Sequence, residues 1–338
     1  MKLNTESILL SHGSGGAESQ NLIAELFYPF LESCVIGSGE DAGIAQIHSK
    51  DFAVSTDGYV ISPIFFAGGD IGKLSICGSC NDVAMMGAKA CYLTASFMLE
   101  EGFKINDLSR IVESFSKTLK ESGAKLISAD TKVLPKGALD KIFITTTAIG
   151  EFLYPHLHLS AFKIPKESAI IVSGNIGTHG AVIYSNREGI NLNTTLESDC
   201  ALLYPILEPL FASNLTLYAL RDATRGGIAS VLNEWAQASN IGITILDSSL
   251  PILPQVQGIC ELLGFEAYNL ANEGMCVICI AKSDAQKALE ILHKNGASNA
   301  AIIGYTTDRN PKRVVLETNF GAKRFLDYPS GELLPRIC

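Results

Sequence analysis

The sequence predicts a two-domain chain that mixes helices and strands, a fold of the α/β (α+β) class. Three observations predict it. The 338 residues are long for one hydrophobic core and natural for two packed domains. Strand-like and helix-like segments follow one another in both halves. Between the halves lies an irregular stretch from Tyr154-Pro155 to Pro165. We therefore expect domains over 1–154 and 155–325, and an extended tail over 326–338.

The elements are read in order. Residues 17 to about 32 carry Leu22, Ile23, Leu26, Phe27, Phe30 and Leu31 at helical spacing. The flexible, glycine-rich run His12-Gly13-Ser14-Gly15-Gly16 precedes them. Residues 52–56 read as a strand that ends at Asp57. A helix follows Gly69, over about 71–86. Another, over about 106–122, turns Leu108, Ile111, Val112, Phe115 and Leu119 inward and stops at Gly123. Residues 125–128 read as a strand that Ala129-Asp130 ends. Residues 142–149 are rich in β-branched side chains and predict a strand.

The second half begins with a strand over 169–173 and the run Gly174-Asn175-Ile176-Gly177-Thr178-His179-Gly180. A helix over about 225–239, a strand over 275–281 and a helix over 284–295, stopped by Gly296, follow. From Leu326 the periodicity disappears, and Pro329, Gly331 and Pro335 mark an extended tail. Thirteen residues of tail, 326–338, span roughly 45 Å at about 3.3–3.6 Å each.

Composition removes several function classes. Hydrophobic residues make up 47% and charged residues 18%, which is the balance of a globular chain, not a disordered one. A net charge of -9 argues against nucleic acid as the main partner. It leaves nucleotides open, because Mg2+ bridges acidic side chains to phosphates. The N-terminus lacks the apolar stretch of a secretion signal, and no apolar run is long enough to span a membrane. Nine cysteines, an odd number without such a signal, predict free thiols in the reducing cytoplasm. The pairs Cys77/Cys80 and Cys276/Cys279 have the spacing of half zinc sites. However, each lies in an apolar stretch, and positions i and i+3 of a strand face opposite sides. Packing is their expected role.

Acids sit where chemistry is usually placed. Glu40-Asp41, Asp57, Asp70, Asp82 and Asp130 each lie near a glycine or a strand–helix junction. Taken singly, such an acid is a cap or turn residue, as expected for Asp70. Taken together, acids without countercharge would repel, so a bound cation is expected. No GxxxxGK[ST] loop is present, so phosphate would be held by metal and by glycine-rich backbone amides. Asp222-Ala223-Thr224-Arg225 opens a long helix, whose start attracts anions. Glu273, in Asn272-Glu273-Gly274, is a turn residue or a base pointed into a cleft. Cys338, the last residue, is a chance exposed thiol or a nucleophile favoured by Arg336.

Taken together, these stretches resemble the HypE family of hydrogenase maturation proteins, in the aminoimidazole ribonucleotide synthetase and selenophosphate synthetase superfamily. The resemblance covers essentially the whole chain. It rests on His12–Gly16, Thr56-Asp-Gly-Tyr-Val60, Pro63 through Lys73, Asn81-Asp82, Ala129-Asp-Thr-Lys132, Asp222 through Gly227, Asn272-Glu-Gly274 and, most specifically, Pro335-Arg-Ile-Cys338. It implies an N-terminal domain that binds ATP and pairs its sheet with a second copy in a homodimer, a C-terminal α/β sandwich domain, and a mobile tail. Cys338 would receive a carbamoyl group from a HypF-like carbamoyltransferase. The thiocarboxamide would be dehydrated to a thiocyanate with ATP and Mg2+, and the cyanide passed through a HypC–HypD-like scaffold to the iron of [NiFe]-hydrogenase.

Carried over residue by residue, the resemblance makes Asp41, Asp57, Asp82 and Asp130 the Mg2+ ligands. Gly13, Ser14, Gly15, Gly16, Lys73, Asn81, Thr131 and Arg225 would touch or orient the nucleotide. Cys338, Glu273 and Lys132 would carry the dehydration. Three positions depart from the family's pattern: Glu40 before Asp41, Ala129 before Asp130, and Asn175 where related loops carry Asp. Two rival readings stand beside this one. The first is a sister synthetase, making selenophosphate or a purine intermediate. It would leave the terminal cysteine unexplained, and selenophosphate synthesis would want a cysteine near the glycine run. The second is a non-catalytic carrier whose tail thiol only holds a delivered group.

Overall fold

The computed structural model describes residues 5–13, 17–35, 45–187, 189, 195–318 and 320–329. Helical turns α1 (Ala17–Leu22), a π-helical segment (Ile23–Phe27) and α2 (Tyr28–Leu31) follow one another. Together they bury Leu22, Leu26, Phe27 and Leu31 of the predicted apolar stripe, while Ile23 and Phe30 are half-buried. Then come β1 (Phe52–Tyr59), the short β2 (Phe65–Phe66) and β3 (Gly69–Asp70), α3 (Ile71–Met85), β4 (Lys89–Glu100), α4 (Ile105–Ser122), β5 (Lys125–Leu134) and β6 (Ile142–Glu151). The long strands form one sheet in the order β1-β6-β4-β5.

Helices α3 and α4 cover one face of this sheet. Asp70 caps α3 as expected of a lone acid before a helix, its Oδ1 accepting from Gly72 N at 2.7 Å and Lys73 N at 3.1 Å. Among the described residues, no helix covers the opposite face. Phe52 and Val54 of β1 are more than half exposed there, at 53% and 54%.

Two expectations about this half are corrected. Asp57 does not follow a strand but lies inside β1, paired with Thr146 of β6. Asp130 and Lys132 likewise lie inside β5, opposite Ser96 and Met98 of β4. An acid beside a glycine reads locally as a turn, but pairing with a neighbouring strand overrides that preference.

The second half holds β7 (Ser168–Val172), α5 (Thr178–Arg187), α6 (Tyr204–Phe211), β8 (Leu217–Asp222), α7 (Gly227–Ala238), β9 (Gly242–Leu246), α8 (Pro254–Leu263), β10 (Cys276–Ala281), α9 (Ala285–Lys294), β11 (Ala301–Thr307), β12 (Val314–Glu317) and β13 (Lys323–Phe325). Its sheet runs β13-β12-β9-β11-β7-β10-β8. Helices cover both faces, so β7 and β10 are continuous apolar runs. Cys276 packs into the core beneath α6 and α9, and Cys279 into the core beneath α7 and α8. The zinc reading therefore fails for this pair, as strand geometry predicts. Cys77 and Cys80 are buried on α3.

Helix α3 is the element that both halves share. It packs on β1, β4 and β6 of its own sheet and on β8 of the other. Its approach to α4 depends on Gly72, where a Cβ would run into the Ile111 carbonyl. Gly72→Ala should therefore cost about 1–3 kcal/mol through overpacking. Chemical denaturation measures it, and an unchanged midpoint would refute the close approach.

Candidate active site

Four elements converge on one cleft, lined by Asp57, Tyr59, Gly78, Asp82, Asp222, Thr224, Arg225 and Glu273. Strand alternation turns Ser55, Asp57 and Tyr59 of β1 toward α3. Ser55 Oγ donates to Asp82 Oδ2 at 2.5 Å, and Tyr59 OH lies 3.1 Å from Ser79 Oγ. Gly78 makes room for this packing, since a Cβ there would strike the Tyr59 hydroxyl. From the other half, β8 pairs antiparallel with β10, Asp222 opposite Cys276. That register sets the end of β8 beside the Asn272-Glu273-Gly274 turn that leads into β10. Gly226 and Gly227, both left-handed at φ 65° and 58°, then turn the chain into α7.

The cleft is acidic and half-buried, with Asp57, Asp82 and Asp222 each keeping part of its surface exposed. Asp82 and Asp222 hydrogen-bond to each other. Burial raises both above the usual carboxylate range; Asp57 adds to the rise of Asp82, and Asp82 to that of Asp222. Asp222 is pushed up to about 7. Below about pH 7 such a pair favours one proton held between the two carboxyls. Arg225 Nη2 meets Asp57 Oδ1 at 3.0 Å, with the Arg225 side chain 76% exposed. So open an ion pair is worth little and is easily exchanged for a ligand. Burial also drives the Tyr59 phenol well above its ordinary value. Glu273 is buried, close enough to Tyr59 for its charge to add to that rise.

This donor set fits a divalent cation. A cation would replace the shared proton and settle the charge of Asp57, Asp82 and Asp222 together. Among the described residues, however, no three such side chains form a ready metal cage. That suits Mg2+, which takes one or two carboxylates and completes its shell with water and phosphate.

The other expected site residues lie elsewhere. The Asn81 side chain is occupied by backbone: Nδ2 donates to Ala201 O at 2.9 Å and Glu273 O at 3.4 Å, and Oδ1 accepts from Leu203 N at 2.8 Å. Lys73 Nζ donates to Gly68 O at 2.9 Å. Asp130 and Lys132 form an exposed pair at 3.3 Å on the open face of the sheet, away from Asp57 and Asp82. The register Gly58–Thr145–Ser96–Asp130 runs across that face. Thr131 points to the other side of β5, and Gly13 lies against Val133. Ser14, Gly15, Gly16, Asp41 and Cys338 lie outside the described residues. Sequence reasoning missed Asp222 and Tyr59 as lining residues. The signal for Asp222 was available, since it opens the same run that supplied Arg225.

The start of the tail is fixed beside this cleft. Leu326 is buried, its N–H donating to Val314 O at 2.9 Å and its carbonyl accepting from Asn233 Nδ2 at 3.0 Å. Asp327 pairs with Arg313 at 3.0 Å, and Tyr328 OH donates to Glu234 Oε1 at 3.1 Å. Pro329 then lies against Gly226, next to Arg225.

Comparison with known proteins agrees with this architecture. Residues 39–152 match the AIR synthase related protein N-terminal domain, and 166–317 match its C-terminal domain. The carbamoyl dehydratase HypE of Escherichia coli (strain K12) is 42% identical over 338 residues, covering 98% of this chain and 99% of the relative. The chain belongs to the HypE family. A crystal structure of the hydrogenase maturation protein HypE in complex with ATP matches with a TM-score of 0.93 at 38% identity, covering 98% of this chain and 99% of that one. A HypE–HypF complex matches with a TM-score of 0.80, also at 38% identity, over 93% and 100%. Membership in the HypE family answers the sister-synthetase alternative, and no helix among the described residues is long and apolar enough to cross a membrane.

The proton held by Asp222 has a thermodynamic signature. Its carboxyl moves from 3.8 to about 7 on folding, so between those values the folded chain keeps a proton that the unfolded chain has lost. The associated stability is present below 3.8 and is lost as pH rises through about 7. Denaturation in a chelating buffer should show this loss, and Asp222→Asn should flatten it. Equal pH slopes for the two proteins would contradict the shared proton.

Proposed function

We propose that this protein dehydrates a thiocarboxamide on its own Cys338 to a thiocyanate, using ATP, to supply the cyanide ligand of [NiFe]-hydrogenase iron. The observation that carries the proposal is the anchoring of Pro329 against Gly226, beside the acidic cleft and Glu273. The nine residues from 330 to 338 reach at most about 30 Å, ample to bring a terminal sulfur back to the cleft.

The chemistry explains the need for the site. An amide oxygen is a poor leaving group. Transfer of the ATP γ-phosphoryl group to that oxygen turns it into phosphate, a good one. The nitrogen gives up two protons as the C–O bond breaks and the C≡N bond forms. Glu273 is buried at the cleft wall and is our choice of base for the decisive proton. One or two of Asp57, Asp82 and Asp222, together with phosphate oxygens, would hold Mg2+, which would stabilise charge on the moving phosphoryl group. Arg225, released from Asp57, is placed to meet phosphate or tail. Water must be kept out, because it would hydrolyse the activated amide. The carbamoyl donor is a HypF-like transferase and the acceptor a HypC–HypD-like scaffold, all in the cytoplasm.

The open face of the first sheet argues for a homodimer. Exposed Phe52 and Val54 would be buried by the same face of a second copy. Pairing would also bring Asp130 and Lys132 to the junction between protomers, where they can act on nucleotide and tail. Residues 1–154 would then bind ATP and dimerise, and 155–325 would complete the cleft. Val54→Glu should shift the protein to monomer by light scattering, and a dimer unchanged at micromolar concentration would point to another interface.

Glu273→Gln should bind ATP within about twofold of the native protein, yet lose roughly 10²–10⁴-fold in dehydration rate, the usual share of a general base. Intact mass of the carbamoylated chain after Mg-ATP addition reports the loss of one water. Normal conversion by Glu273→Gln would remove this residue from the mechanism. No loss of water by the native chain would favour the carrier reading. Cys338→Ser should accept no carbamoyl group at all.

A further inference from the structure

Residues 198–203 pass between the two halves and bond to both. Ser198 N donates to Ala67 O at 2.8 Å, and Ser198 Oγ lies 2.7 Å from His179 Nδ1. Asn81 of α3 holds Ala201 and Leu203 from one side. Asp199, inside this strap, directs its carboxylate to the turn that bears Glu273. It accepts from Asn272 Nδ2 at 2.7 Å, Glu273 N at 3.2 Å and Gly274 N at 3.1 Å. Gly274 has no room for a side chain, because a Cβ would run into the Asp199 carbonyl. The carbonyl of Glu273 is meanwhile held by Asn81. The backbone on both sides of the Glu273 Cα is therefore fixed by the strap and by the residue preceding Asp82.

We infer that Asp199 is a positioning residue, whose carboxylate sets Glu273 at a fixed place relative to Asp82. The inference rests on the reading of Glu273 as the base. Asp199 lines a neighbouring cavity with Gly174, Asn175 and Met275 and not the acidic cleft, so toward Glu273 it acts through the turn. An ionised carboxylate suits the task because it is acceptor-only, matching three N–H donors without presenting a donor of its own. Burial pushes its carboxyl above the usual carboxylate range, and the bonds from Asn272, Glu273 N and Gly274 N offset only part of that rise. An amide at this position would turn an NH2 group toward one or more of those donors. The turn would then shift, and a displacement of about 1 Å at a reacting group can cost 10²-fold in rate.

The test uses the full-length carbamoylated protein with Mg-ATP, comparing Asp199→Asn, Glu273→Gln and the double variant. Asp199→Asn should lower kcat by roughly 10–100-fold while KM for ATP stays within about twofold. The double variant should be no slower than Glu273→Gln alone, because Asp199 works only through Glu273. An unchanged kcat in Asp199→Asn overturns the inference, as does a parallel rise in KM or full additivity with Glu273→Gln. If Glu273→Gln itself keeps its rate, the reading of the base falls, a result separate from the behaviour of Asp199→Asn. Should Asp199→Asn not fold, Asp199→Ser removes the charge with a smaller group and is held to the same outcomes. Failure of both to fold would make Asp199 a structural residue and overturn the inference.

Discussion

Asp82 and Asp222 meet from opposite halves of the molecule in a half-buried place where two adjacent negative charges are costly. That contact shapes the site. A half-buried carboxyl pair favours keeping a proton or taking a cation, and either choice links the two halves electrostatically. The pair thus makes the junction responsive to whatever positive charge is present. With Arg225 drawn toward Asp57, the cleft already balances part of its charge internally. A magnesium nucleotide would bring both the cation the acids lack and the phosphates that Arg225 can meet. The partial burial that makes the acids costly would, once a ligand closed the cleft to water, strengthen charge interactions with the substrate.

Helix α3 turns this electrostatic junction into a rigid one. Its adjacent residues Asn81 and Asp82 do different work. Asp82 faces the acids, whereas Asn81 is used up on the backbone of the strap and on the Glu273 carbonyl. Polar groups buried this way are costly unless fully bonded, and these are. Gly72 and Gly78 let the helix approach α4 and Tyr59 closely. The result is a wall in which the spacing of carboxylates from opposite domains is set by hydrogen bonds and close packing, without a flexible loop between them.

The sequence made the helices of the first half legible because their apolar stripes and stops are local properties. The 18-residue α4 differs from its expected bounds by one residue at the start, and Gly123 ends it in the left-handed conformation predicted for a stop. Strand ends were harder. Asp57 and Asp130 resemble turn residues, and only the neighbouring strands explain why β1 and β5 continue through them. The site was legible as a list of acids but not as a grouping. Asp57 and Asp82 come together, whereas Asp130 lies across the sheet, because strand alternation sends neighbouring positions to opposite faces. Asp222 was quoted within its motif, yet its closeness to Asp82 follows from pairing of β8 with β10, which no local pattern reveals.

The position of the tail's anchor gives this arrangement a kinetic sense. A thiol carried on the chain's own end is present at an effective concentration set by tether length, so capture in the cleft needs no encounter between separate molecules. A longer tether would dilute the group, while a very short one could not leave the cleft to meet a donor or acceptor. Leu326 is fixed in the second core and Pro329 lies against Gly226, so on the proposed function the tether runs over residues 330–338. A tether of that length would reach other proteins and still favour its own cleft. On the proposed function, chemistry that needs a closed pocket in one step and open access in the next would be reconciled by moving the substrate, so that the acids, Glu273 and the strap that holds it could stay in place.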